Sequence, residues 1–161
     1  MKKFVLPFVV LVLTAMAACN NNGDKKNATE STGKKEVPQT AADSLMADVM
    51  DGHDEGMAKM GKLSTMQKEV QRVLDSIATL PAKAKQAAAP YAAKLSTLIT
   101  ELKSSQSDME IWMDEFNMDS AVNNTEQRIK YLAEEKLKIS RVKESILGSL
   151  QKADSLLKAK F

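Results

Sequence analysis

Residues 45–77, LMADVMDGHDEGMAKMGKLSTMQKEVQRVLDSI, decide the fold. Steps of three and four connect Met46, Val49, His53, Gly56, Met60, Leu63, Gln67, Val70, Leu74 and Ile77. Positions three and four apart share one face of an α-helix, whereas a strand would alternate every second residue. The spacing persists for more than four heptads, so it predicts a long helix with a coiled-coil seam. Asp43 or Ser44 is placed to cap its start, and Asp43, Asp48 and Asp51 suit the positive end of the helix dipole. Leu80 and Pro81 end it.

Downstream, the same spacing joins Tyr91, Leu95, Leu98, Leu102, Ser105, Met109, Trp112 and Phe116, with Ile99 and Met113 widening the stripe. Pro90 suits the first turn of a helix that starts there, but a start near Ala82 with a kink at Pro90 is favoured because it gives this helix the length of its neighbours. Residues 117–124 carry turn formers and a cap for a third helix beginning at Ser120 or Thr125. Its buried stripe is read as Ile129, Leu132, Ala133, Leu137, Ile139, Val142, Ile146, Leu150, Ala153 and Leu157. Glu126 with Lys130 and Glu134 with Lys138 are favourable pairs four apart. Lys136 and Lys143 lie near the seam, where aliphatic stems pack and ammonium groups reach water.

The fold class is therefore all-α, an antiparallel three-helix bundle or coiled coil after a disordered tether. Its helices span about residues 43–79, 82–116 and 121–159, within a 43–161 domain about 50 Å long. Reversal at Leu80 and Pro81 sets His53 opposite Met109, Val49 opposite Trp112 and Met46 opposite Phe116. A second reversal near Ser120 brings Ile129 towards Trp112 and Leu132 towards Met109. With no fourth helix, an exposed stripe is free for a protein partner or a second copy.

Upstream, Lys2 and Lys3 precede an apolar run over residues 4–18 that ends in Met16, Ala17 and Ala18. This is the layout of a secretory signal peptide, and the run is shorter than the roughly 20 residues of a bilayer-spanning helix. Cys19, the only cysteine, follows directly. The arrangement resembles the signal of bacterial lipoproteins, in which the cysteine after a hydrophobic −3 residue and small −2 and −1 residues becomes the lipidated N-terminus. The resemblance implies residues 1–18 as signal peptide and Cys19 as a membrane anchor, with two or three acyl chains holding stably. It implies a cell-envelope location, on the periplasmic side of a membrane or at the cell surface. Residues 19–42 would then be the lipidated cysteine and a polar tether, too poor in apolar side chains to order. As a coil its mean reach is about 25 Å.

Lys2 and Lys3 leave with the signal, and the 21 basic residues that remain balance 21 acidic ones. A nucleic-acid binder would show a basic excess, so nucleic acid is not an expected partner. Residues 50–61, MDGHDEGMAKMG, with Trp112 and Met113 and then Tyr131 and Leu132 in order, are similar to uncharacterised helical lipoproteins sometimes labelled "viral A-type inclusion protein". That resemblance covers most of residues 44–157 and implies no activity or ligand.

The mature chain has eight methionines. Met46, Met50, Met57, Met60, Met109, Met113 and Met118 fall in the half nearest the tether, with Met66 just beyond. The same half holds Asp48, Asp51, Asp54, Glu55, Asp108, Glu110, Asp114, Glu115 and Asp119. In one reading the methionines fill an irregular core around Trp112, His53 is a satisfied boundary residue and the acids are a solvated face. Gly52, Gly56 and Gly61 each cost a helix about 1 kcal/mol relative to Ala, which points to a close approach by a helix or a ligand.

In the other reading these side chains bind a soft metal. Met50, His53 and Met57 lie three and four apart, Met109 or Met113 approaches from the second helix, and Trp112 caps the ion by a cation–π contact. Thioethers and imidazole select Cu(I). A His–Met haem has no C-x-x-C-H attachment, and no D-x-D-x-D-G loop marks a hard-cation site. Catalytic signatures are missing: one histidine, no G-x-S-x-G, no H-E-x-x-H and no phosphate-binding glycine loop. The sequence thus predicts a membrane-anchored, non-catalytic helical scaffold or interaction module. No cofactor is expected, and the alternative is Cu(I) binding.

Overall fold

The computed structural model describes residues 40–159. The expected signal peptide, lipidated Cys19 and tether lie outside the described residues as far as Gln39, whereas residues 40–42, expected in the tether, form the cap and first turn of α1. Three helices follow, α1 (Ala41–Ala78), α2 (Ala82–Glu115) and α3 (Thr125–Lys158), each packed on the other two in an all-α bundle. Successive helices are antiparallel, so α1 and α3 run parallel. Interhelical ion pairs record that alignment: Asp48 with Lys136, Glu55 with Lys143 and Lys62 with Asp154. Lys136 and Lys143 thus stretch from the seam edge to acids on α1, as their stems allow.

The start of α1 differs from expectation. Thr40 is its N-cap: Thr40 Oγ1 accepts from the Asp43 N–H at 3.1 Å, and Asp43 Oδ2 accepts from the Thr40 N–H at 3.1 Å. Asp43 therefore occupies the third helical position of a capping box rather than the cap itself. Asn124 caps α3 through the Gln127 N–H. Helix α2 starts at Ala82 and continues through Pro90, which has no N–H to return to the Gln86 carbonyl.

The α1 seam is as read. Val49, Gly56, Leu63, Val70 and Ile77 are buried, and Met46, His53, Met60, Gln67 and Leu74 between them are half-buried. On α2, Leu95, Leu98, Leu102, Ser105, Met109 and Trp112 are buried, but Met113 is exposed and does not widen the stripe. On α3 the buried positions are Leu132, Glu135, Ile139, Ile146, Ser149, Leu150 and Ala153. Leu137 was placed on this stripe and is 59% exposed. Two residues from Ile139 is roughly 200° around the helix, so Leu137 points away from the core. The regular three–four series from Leu132 to Ala153 passes through Glu135 and Ser149, which polarity had concealed.

Two of the three α1 glycines mark a close approach. A Cβ on Gly52 would stand 3.1 Å from Ile139 Cγ2, and one on Gly56 would overlap the Met109 methyl. Gly61 faces open space. The Met109 methyl in the Gly56 notch corrects the register by about one helical turn: His53 lies beside Trp112, and Met109 beside Gly56. Between α2 and α3, Trp112 meets Glu135, Phe116 meets Tyr131 and Ser105 meets Ser145. The expected Ile129–Trp112 pairing is displaced because the chain turns through residues 116–124, with Ala121 in the left-handed region at φ 55°, before α3 begins.

Candidate functional site

The end of the bundle where α1 begins, α2 ends and α3 begins holds three of the four described aromatic residues and the histidine. They form a ladder. The His53 and Trp112 rings are 5.7 Å apart and tilted by 37°, Trp112 stacks on Phe116 at 4.8 Å, and Phe116 lies parallel to Tyr131 at 6.2 Å. Each partner sits one turn along or across a helix boundary, so the ladder ties all three helices together. Tyr131 Oη accepts from the Asn117 N–H at 2.8 Å, and Arg128 donates to the Met118 and Ser120 carbonyls. These contacts fasten the α2–α3 connection to the start of α3.

Beneath the ladder lies a buried carboxylate. Trp112 Nε1 donates to Glu135 Oε2 at 3.0 Å, and Lys138 Nζ donates to Glu135 Oε1 at 2.8 Å. The Glu135 side chain is only 5% exposed, so both oxygens depend on these partners. The same hydrogen bond raises the Lys138 pKa above the usual 10.5. Desolvation opposes that rise, and the charge of Glu135, with smaller contributions from Glu115 and Tyr131, supports it. Sequence reading missed Glu135 and had paired Lys138 with Glu134. An indole N–H on a facing seam needs an acceptor when buried, and that was the available signal.

The predicted soft-metal residues divide into two sets. Met109 is fully buried with its methyl against Gly56, and Trp112 is committed to Glu135 and Phe116. Met50 and His53 are half-buried, while Met57 and Met113 are 38% and 39% exposed. His53 Nδ1 is 2.9 Å from Asp54 Oδ1, and a carboxylate there accepts, so the proton sits on Nδ1. Among the described residues, no three His, Cys, Asp or Glu side chains converge as a hard-cation site. No helix among them is long and apolar enough to cross a membrane.

Surface concavities are open grooves between helices. One of 460 Å³, lined by Ile111, Trp112, Lys138, Arg141 and Val142 among others, borders the aromatic ladder. A larger one of 710 Å³ lies between α2 and α3 towards the opposite end, near Leu98, Gly148 and Leu156. Neither encloses a ligand-sized chamber with convergent reactive groups. Comparison with protein-family models, curated proteins and solved structures finds no match to this chain.

Proposed function

We propose that this chain is a membrane-anchored cell-envelope lipoprotein whose helical bundle is a non-catalytic scaffold or protein-interaction module. Cys19 is the anchor and residues 20–39 the spacer. The bundle is held away from the bilayer, and its partner is a protein.

The observation that carries the interaction reading is where the exposed apolar side chains fall. Ile111, Met113, Met118, Val122 and Leu137 lie in the half with the aromatic ladder, and Met57 and Leu147 lie further along, beside the Gly56–Ile146 contact. Ile111, Met118, Val122 and Leu137 are each more than half exposed. Such side chains are individually common on surfaces, but their concentration at one end marks that end for contact. Methionine adds an adaptable surface there. The ladder and the Glu135 pair beneath give that surface a rigid base, which lowers the ordering cost of binding.

Photo-crosslinking groups placed at Ile111, Met118 and Leu137, and at Lys83 and Lys103 as controls, test the reading in intact cells. The apolar-end positions are expected to give the same discrete protein adduct, with none from the controls. Equal adducts from both sets, or none at the apolar end, would contradict it.

A further inference from the structure

We propose that His53, Met57 and Met113 form a Cu(I) site in the groove between α1 and α2. The proposal does not depend on the anchor or on a protein partner. Two contacts fix the level of the helices here: the His53 ring against the Trp112 ring, and the Met109 methyl in the Gly56 notch. Met57 is one turn beyond His53 on α1, and Met113 is one turn beyond Met109 on α2. Met113 is also two turns beyond Gln106, whose side chain bonds Gln67 of α1, so it belongs to the α2 stripe that borders α1.

Helical side chains lean towards their own N-terminus. In an antiparallel pair, Met57 and Met113 therefore lean towards each other. Both are partly open to solvent, unlike Met109, which the core has absorbed. The imidazole is set for the same role. The Nδ1–H donates to Asp54 Oδ1, and among the described residues Nε2 has no partner. A carboxylate holding one ring nitrogen while the other faces a metal is the usual support of a ligating histidine. Two thioethers and one imidazole are a soft donor set that suits Cu(I) above hard divalent cations. Exposed carboxylates on Asp54, Glu110 and Asp114 favour the approach of a cation.

Anaerobic titration of the purified protein with Cu(I), in competition with a chromophoric Cu(I) chelator, tests the site. One equivalent is expected to bind with submicromolar affinity. Met57→Leu, Met113→Leu and His53→Gln should each weaken binding by about tenfold or more, whereas Met118→Leu leaves it unchanged. Leucine keeps the methionine volume, and unchanged circular dichroism separates ligand loss from unfolding. Ag(I), a redox-inert probe, should shift the Met57 and Met113 methyl resonances and leave that of Met109 in place. No binding tighter than micromolar, indifference to Met57→Leu and Met113→Leu, or equal weakening by Met118→Leu would overturn the proposal.

Discussion

Glu135 keeps its place in the core through two donors, Trp112 Nε1 and Lys138 Nζ. Glu135→Leu would leave the indole N–H unpaired at a cost of about 1–3 kcal/mol. Urea denaturation should show that loss, and Glu135→Gln, which retains an acceptor, should lose less. Equal stability of all three proteins would contradict this role. Two of the ion pairs with shifted titration act at opposite ends of the pH scale. The folded Lys138 pKa is raised, chiefly by its hydrogen bond to Glu135, so its contribution is complete below 10.5 and is lost as pH rises through the folded value. Asp154 is lowered, chiefly by its hydrogen bond to Lys62, so its contribution is present above 3.8 and is lost as pH falls through the folded value. Thermal melts across pH should show both limbs, with Lys138→Met flattening the alkaline one and Lys62→Met the acid one. Glu135 was hidden in the sequence because a carboxylate reads as surface, and its burial is explained by the indole on another helix together with Lys138 one turn along its own.

At the scale of the helices, glycine separates packing from propensity. Gly61→Ala meets open space and removes a flexible residue from an exposed turn, so it should stabilise by about 1 kcal/mol. Gly52→Ala would bring a Cβ to 3.1 Å from a branched carbon of Ile139, which cannot swing aside without moving the β-branched side chain. It should give no such gain and should fall below Gly61→Ala in the same denaturation series. Thr40→Ala breaks the capping box and should cost about 1 kcal/mol, with fraying confined to the first turn of α1 by hydrogen exchange. The α1 seam was legible in full because its three–four spacing includes few misleading apolar residues. Leu137 on α3 is a counterexample, an apolar residue that lies off the seam. Register was less legible. Spacing within a helix says nothing of how far one helix slides on another, and here the Gly56 notch for Met109 and the chain path through residues 116–124 decide it.

Across the whole molecule, chain order made neighbours of α1 and α2 and of α2 and α3, but the parallel α1–α3 contact came only from the structure. That contact joins the glycine notches to Ile139 and Ile146 and carries three charged pairs. Most of the exposed apolar side chains, Met113 among them, lie at the end with the aromatic ladder, and Met57 lies further along beside Gly56. The candidate metal residues were therefore legible as types and spacings. Their separation into a core pair, Met109 and Trp112, and a groove set, His53, Met57 and Met113, was not, because burial depends on the register. The proposed function joins this end to a membrane through Cys19, and that link is the central claim. Its most direct test is the mass of the N-terminal peptide of the protein purified from the membrane fraction. The account predicts a peptide that begins at Cys19 and carries acyl chains, and a Cys19→Ser protein released from the membrane. An unacylated peptide beginning at any other residue, with Cys19→Ser still bound to the membrane, would contradict it.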